Sequence, residues 1–328
     1  MTRRNFFTTG ATALATAAVP ASAAVPAEDN REIPVTHIRR VKADGVNVFY
    51  REAGPKHAPV ILLLHGFPTS SNMFRNLIPY LAPFFHVIAP DYPGYGQSSM
   101  PDRKTFAYTF ENMTKIVEKF LEKLGVKRFS MYVMDYGAPI GFRLALRHPD
   151  QVEAIIIQNG NAYQEGLLEF WNPIKTYWKE PRPENREALR FLTTLKATKW
   201  QYENGVSDMT LLDPTAWILD QYGMDRPGNT DIQLDMFYDY RTNVPLYPQF
   251  QAYFRKHLPP TLIVWGKNDV IFPPDGAKLY QRDLPHVETH LFDTGHFALE
   301  THCDEIANRI KAFMKKNNLG AALSREAS

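Results

Sequence analysis

The chain of 328 residues predicts an α/β protein: a mostly parallel sheet with helices on both faces and a helical lid inserted after the sixth strand. Three observations carry that reading. Short apolar runs of strand length alternate with amphipathic stretches, the pattern of a parallel sheet wrapped by helices. An Asp-Gly pair between two strand-like runs opens the fold with a hairpin. One long stretch then interrupts the alternation, losing strand signals while aromatics and prolines crowd together.

Taken in order, Ile38–Lys42 and Val46–Arg51 flank Ala43-Asp44-Gly45 and form the antiparallel start. The run Pro59–Leu64 precedes a helix near Asn72–Leu81, and His86–Pro90 precedes a helix over Thr109–Leu124. Phe129–Met134 leads into a helix at Ala138–Arg147, and Val152–Gln158 is the sixth strand. The alternation resumes with Thr261–Trp265, a helix around Gly276–Leu284, the strand Val287–Phe292 and a last helix from Cys303 to Lys316. Residues 32–162 and 250–318 are therefore read as the core, 163–249 as the lid and 319–328 as a C-terminal tail. The lid carries Trp171, Tyr177, Trp178, Trp200, Trp217, Tyr222, Phe237, Tyr238, Tyr240 and Tyr247, most of which are expected simply to pack.

With 44% hydrophobic and 13% aromatic residues, the chain suits one large core plus an insertion. Its 37 basic and 35 acidic residues leave a net charge of +2 with no long basic block, which argues against nucleic acid or an anionic membrane as partner. Cys303 is the single cysteine, so neither an intrachain disulfide nor a multi-cysteine metal site is available. Residues 1–24 read as an export signal: Arg3-Arg4 precedes an Ala/Thr-rich apolar stretch, Thr8 to Val19, and Ala21-Ser22-Ala23 supplies a cleavage sequence. A Tat-type signal of this kind implies a periplasmic protein, with no membrane anchor after cleavage.

Three loops at the carboxyl ends of predicted strands hold chemistry-bearing residues, the place where open α/β sheets bind ligands. Val133-Met134-Asp135-Tyr136-Gly137-Ala138 is a tight strand-to-helix turn with small residues downstream, a nucleophile elbow bearing Asp where serine hydrolases carry Ser. Asp269 follows Trp265-Gly266-Lys267-Asn268, and His296 follows Asp293-Thr294-Gly295. A carboxylate on one imidazole nitrogen fixes the tautomer and frees the other as a base, so Asp269 orients and His296 accepts the proton. Leu64-His65-Gly66-Phe67-Pro68 ends another strand. The backbone N–H groups of Phe67 and Tyr136 are the expected oxyanion donors, with His65 holding the loop. Asp91 is read as a structural turn residue, and Asn159 and Asn161, being amides, leave Asp269 as the acid.

An Asp carboxylate needs no deprotonation at neutral pH and attacks sp³ carbon bearing a leaving group. Asp135 is thus expected to form an alkyl ester that a His296-activated water hydrolyses, with no cofactor and no metal. The substrate is expected to be small and apolar, with water as co-substrate.

From about Glu32 to Lys316 the sequence resembles the Asp-nucleophile branch of the α/β-hydrolase fold, which includes epoxide hydrolases, haloalkane dehalogenases and fluoroacetate dehalogenases. His65-Gly66-Phe67-Pro68-Thr69-Ser70-Ser71 is partly similar to the dehalogenase loop, which has Asn where Phe67 stands, and those enzymes follow the nucleophile with Trp where this chain has Tyr136. The Arg that fluoroacetate dehalogenases place there is also missing. Tyr177-Trp178-Lys179-Glu180-Pro181 and Asp239-Tyr240-Arg241-Thr242-Asn243 resemble the lid segments carrying the two acid tyrosines of epoxide hydrolases. The resemblance therefore implies epoxide opening with Tyr177 and Tyr240 as donors. Dehalogenation is the alternative, kept open by Trp178 as a substrate-binding halide donor; carboxylic ester hydrolysis or non-catalytic binding on the same scaffold is less favoured.

Overall fold

The computed structural model describes residues 34–319. The export-signal reading of residues 1–24 and the tail beyond Leu319 lie outside the described residues. Eight strands, β1 (His37–Ala43), β2 (Val46–Ala53), β3 (Val60–Leu64), β4 (His86–Pro90), β5 (Phe129–Met134), β6 (Val152–Gln158), β7 (Thr261–Gly266) and β8 (Glu288–Phe292), form one sheet. Their order is β1-β2-β4-β3-β5-β6-β7-β8. The β1/β2 and β2/β4 pairs are antiparallel, and every other pair is parallel. Asp44 and Gly45 have φ of 45° and 82°, the left-handed pair that a two-residue turn between twisted strands requires.

The central strands are buried on both faces, and their side chains alternate between two cores. Leu62, Leu64, Met131, Val133, Ile155, Ile157 and Ile263 point to one face, beneath the helices Phe110–Leu124 and Gly137–Arg147. Ile61, Leu63, Met134, Ile156, Leu262 and Val264 point to the other, beneath Leu77–Leu81 and Cys303–Lys316. Burying each such side chain stabilises the fold by about 2 kcal/mol before entropy is counted. Helix Phe110–Leu124 starts where the Thr109 side chain accepts from the Asn112 N–H and stops at Gly125, whose φ of 71° turns the chain out of the helix.

Two helices differ from expectation. The stretch Asn72–Leu81 is a 3-10 turn, Ser71–Phe74, followed by a short helix, Leu77–Leu81. Pro79 has no N–H to return to the Arg75 carbonyl, so one continuous helix would leave that acceptor without its partner. The helix around Gly276–Leu284 ends at Leu279 and gives way to a 3-10 turn at Tyr280–Arg282. Between β6 and β7 no strand occurs; helices Asn172–Lys179, Pro183–Glu187, Leu195–Glu203, Pro214–Met224 and Asn229–Asp239 are interspersed with 3-10 turns, and Tyr247–His257 leads back to the sheet. Among the described residues no helix is long and apolar enough to cross a membrane.

Candidate active site

The loops after β3, β5, β7 and β8 meet at the carboxyl edge of the sheet. Asp135 sits between β5 and helix Gly137–Arg147 with φ of 50°, a left-handed conformation rare for a residue with a side chain. The reversal is tight enough that a Cβ on Gly137 would lie 2.2 Å from the Leu64 carbonyl oxygen. A Cβ on Gly66 would meet the Asp135 side chain at 2.3 Å, so only glycine lets the β3 loop approach the carboxylate. That approach brings the Phe67 N–H to 2.7 Å from Asp135 Oδ1, and the Tyr136 N–H donates to the same oxygen at 2.6 Å. Two backbone donors thus converge on one carboxylate oxygen, leaving Oδ2 as the free one.

Oδ2 faces His296, whose Nε2 lies 3.8 Å away and has no hydrogen-bond partner among the described residues. The other ring nitrogen, Nδ1, is 2.7 Å from Asp269 Oδ2. A carboxylate oxygen accepts, so the proton belongs on Nδ1 and the lone pair of Nε2 is left free. Asp269 is itself held: the Ile271 N–H donates to Oδ1 at 2.8 Å and Asn159 Nδ2 to Oδ2 at 2.8 Å. The β7 and β8 loops are tied together by the Asn268 N–H donating to the Thr294 carbonyl at 3.0 Å.

The electrostatics follow from burial. Asp135 is 5% exposed, and burial pushes its carboxyl up to about 6 against the pull of His296 and the two backbone donors. Burial alone would depress the His296 imidazole, but the Asp269 and Asp135 carboxylates outweigh it and raise the value. His65 is fully buried and pushed down to about 3, so it is neutral. Its Nε2 accepts from the Tyr92 N–H at 3.2 Å and its Nδ1 lies 3.0 Å from the Gly66 carbonyl, which makes it a brace for the loop. Asp91 likewise braces a turn, accepting from the Ser71 and Gln97 N–H groups at 2.7 Å each. Burial pushes the Cys303 thiol up to about 12, which removes it as a nucleophile at neutral pH.

Asn159 is the residue whose placement exceeds its reading as a bystander amide. It sits at φ of 41° after β6, and its Oδ1 accepts from the Gly266 N–H at 3.0 Å while its Nδ2 holds Asp269. Asn159→Gly keeps the left-handed backbone and removes the side chain. Steady-state kinetics should show kcat falling roughly tenfold with little change in KM, the effect of one hydrogen bond to a charged group. An unchanged kcat would remove Asn159 from the site.

Above Asp135 the lid leaves a narrow cleft, lined by Phe67, Tyr136, Phe170, Trp171, Ile174, Leu192, Gln201, Phe237, Tyr240 and Ile271. Its wall is mostly apolar, with a few polar side chains, Gln201 and Tyr240 among them. A larger surface recess around Pro260, His286 and Phe313 lies at the opposite, amino ends of β7 and β8 and is remote from this chemistry.

The lid residues singled out in the sequence separate here. Tyr240 lines the cleft, fully buried, its ring 5.9 Å from Tyr136 and its hydroxyl 3.4 Å from that of Tyr247. Tyr177 does not join it: its hydroxyl accepts from Arg186 at 3.3 Å and its ring packs on Tyr238 at 4.9 Å. Trp178 stacks behind Tyr240 at 5.9 Å and donates its indole N–H to the Phe237 carbonyl at 2.7 Å, so it backs the cleft wall instead of lining it. Trp171 does line the cleft, but its indole N–H is given to the Ile271 carbonyl at 2.8 Å. Gln201, which sequence reasoning passed over, is 4% exposed, lines the cleft and has no hydrogen-bond partner for Nε2 among the described residues.

Comparison with known proteins agrees with this architecture. Residues 59–302 match the α/β hydrolase fold family. An uncharacterized hydrolase of Saccharomyces cerevisiae is 46% identical over 278 residues, covering 84% of this chain and 95% of the relative. A haloalkane dehalogenase of Bradyrhizobium diazoefficiens is 39% identical over 182 residues, 55% of this chain and 54% of that protein. Epoxide hydrolase 3 of Mus musculus is 25% identical over 287 residues, 84% of this chain and 76% of that protein. The crystal structure of the haloalkane dehalogenase DbeA from Bradyrhizobium elkani superposes with a TM-score of 0.72 at 22% identity, covering 87% of this chain and 99% of that one, a likeness of fold. With a sheet of this order, a tight strand-to-helix turn after β5 and a family match over most of its length, the chain belongs to the α/β hydrolases.

Proposed function

We propose that the protein is an epoxide hydrolase that works through an alkyl ester on Asp135. The observation that carries this reading is the Asp135 carboxylate itself, one oxygen held by two backbone N–H groups and the other open beside the His296 base. Oδ2 attacks an epoxide carbon, the ring C–O bond breaks, and its electron pair passes to the ring oxygen, which takes a proton from Tyr240. Water then loses a proton to His296 Nε2 and attacks the ester carbonyl, whose oxygen, Oδ1, becomes an oxyanion between Phe67 and Tyr136. Collapse of that intermediate expels the diol alkoxide, which takes the proton back from His296. The Asp135 carboxyl re-ionises, and the released proton restores the Tyr240 phenol.

Tyr240 suits the acid role. Burial, followed by its Tyr247 and Asp135 neighbours, raises its phenol well above the usual value, so it carries its proton at neutral pH. Its 3.4 Å contact with Tyr247 is too long to hold that proton firmly. With styrene oxide as substrate, Tyr240→Phe should lose about 100-fold or more in diol formation, the usual contribution of a general acid. Undiminished turnover in that variant would end its role.

The dehalogenase relative favours a second reading, displacement of halide by the same carboxylate. Weighing against it, the indole N–H groups of Trp171 and Trp178 are both occupied by backbone carbonyls. Halide release from 1-bromohexane, with no diol from styrene oxide, would put that reading first.

A further inference from the structure

Breaking the epoxide ring places a growing negative charge on one oxygen inside an apolar cleft, and a single phenol is a thin provision for it. Epoxide opening through paired donors was expected of Tyr177 and Tyr240, yet the Tyr177 hydroxyl is engaged with Arg186. A second donor must come from elsewhere on the cleft wall. The candidates are few, because the indole N–H groups of Trp171 and Trp178 already serve Ile271 and Phe237.

Gln201 stands apart from these. It lies on helix Leu195–Glu203, only 4% exposed, and lines the same cleft as Asp135 and Tyr240. Its Nε2 is inaccessible and has no acceptor among the described residues. A buried amide N–H left unpaired destabilises a fold by about 1–3 kcal/mol, so such a group in a substrate cleft points to a ligand that supplies the acceptor. We propose that the Gln201 carboxamide donates a hydrogen bond to the leaving oxygen of the substrate, pairing with Tyr240 in the place expected for Tyr177. The amide gives up no proton: Tyr240 protonates the alkoxide, and Gln201 stabilises the charge before the proton arrives. This inference rests on the epoxide reading above. It also narrows the substrate, since an epoxide oxygen must reach Gln201 and Tyr240 while its carbon meets Asp135 Oδ2.

The test separates the two chemical steps. In a His296→Gln background, intact-mass spectrometry follows alkylation of Asp135 by styrene oxide; with His296 intact, rapid-quench mass analysis follows decay of the ester. Gln201→Met preserves the length of the side chain and removes the donor. It should slow alkylation by about 100-fold, the effect of deleting one donor to a developing oxyanion, and leave ester decay within about twofold of the parent. Gln201→Leu gives a second variant of the same sense, with thermal melting to establish that each is folded. Equal alkylation rates in either folded variant overturn the proposal, as does a parallel loss in both steps, which would mark Gln201 as merely structural. Absence of any adduct in the His296→Gln parent defeats the epoxide reading and this inference with it, whereas adduct in the parent with no response to Gln201 defeats this inference alone.

Discussion

His296→Gln should arrest the enzyme as its covalent ester. Exposed to styrene oxide, the variant is expected to gain the mass of one substrate on a peptide containing Asp135, while kcat falls by about four orders of magnitude. In the proposed mechanism the two steps use different groups. Alkylation needs Asp135 Oδ2, open beside a ring nitrogen 3.8 Å away, and does not require His296 to accept a proton. Hydrolysis needs a base beside the ester carbonyl, and His296 Nε2, 3.8 Å from Oδ2, is placed for it. The charges reinforce the order of events. In the free enzyme the Asp135 carboxylate helps to raise the His296 pKa, behind the larger influence of Asp269. Forming the ester abolishes the Asp135 charge, so the imidazole becomes easier to keep neutral when a neutral base is required. Repeated failure to detect the adduct, with a substrate that the parent enzyme turns over, would refute the covalent route.

The parts of this site written in the sequence are those fixed by local rules. Asp135 and Asp269 follow short, fully buried apolar runs, His296 follows a half-polar strand, and chain order with strand-end position draws all three into one cluster. Phe67 is legible as the second residue after His65 at a strand end, and the structure adds that Gly66 has no Cβ to block its N–H from the Asp135 carboxylate. The lid resisted such reasoning. Tyr177 and Trp178 sit on a single two-turn helix, Asn172–Lys179, and which of its faces looks into the cleft depends on how the neighbouring helices dock. Arg186 and Tyr238 capture Tyr177, and the Phe237 carbonyl captures Trp178. Those are contacts between residues with no common periodicity. Gln201 carries no local signal either: in Leu195–Glu203 it is one polar residue among several, and its unusual burial appears only once the lid is closed over the sheet. Asn159 carries a fainter signal: an Asn directly after a strand tolerates the left-handed backbone that aims it at Asp269.

Asp135→Asn should abolish turnover and, at alkaline pH, make the protein more stable. An amide is no nucleophile toward an epoxide, so no adduct forms, and residual activity is expected at background. The stability effect follows from the sign of the Asp135 shift. Burial raises its carboxyl from 3.8 to about 6, so the folded state binds the proton more tightly than the unfolded chain does. Stability from that difference is fully present below about pH 4, declines as the pH rises, and is lost once the pH passes about 6. Above that, the folded protein carries a buried charge that opposes folding by about 3 kcal/mol. Asparagine keeps the size of the side chain and an oxygen for the Phe67 and Tyr136 N–H groups, but has no charge to bury. Part of the gain is returned because His296 loses a favourable neighbour, so the rise in Tm at pH 8 should be roughly 5 °C. The advantage should shrink as the pH falls from 6 toward 4. The same titration governs catalysis in the parent: kcat/KM should drop below about pH 6 as the nucleophile takes up its proton. A Tm difference that stays constant from pH 4 to pH 8 would mean that Asp135 carries no strained charge. The nucleophile's reactivity and its destabilisation of the fold would then have separate origins, whereas a shared pH dependence ties both to one buried carboxylate.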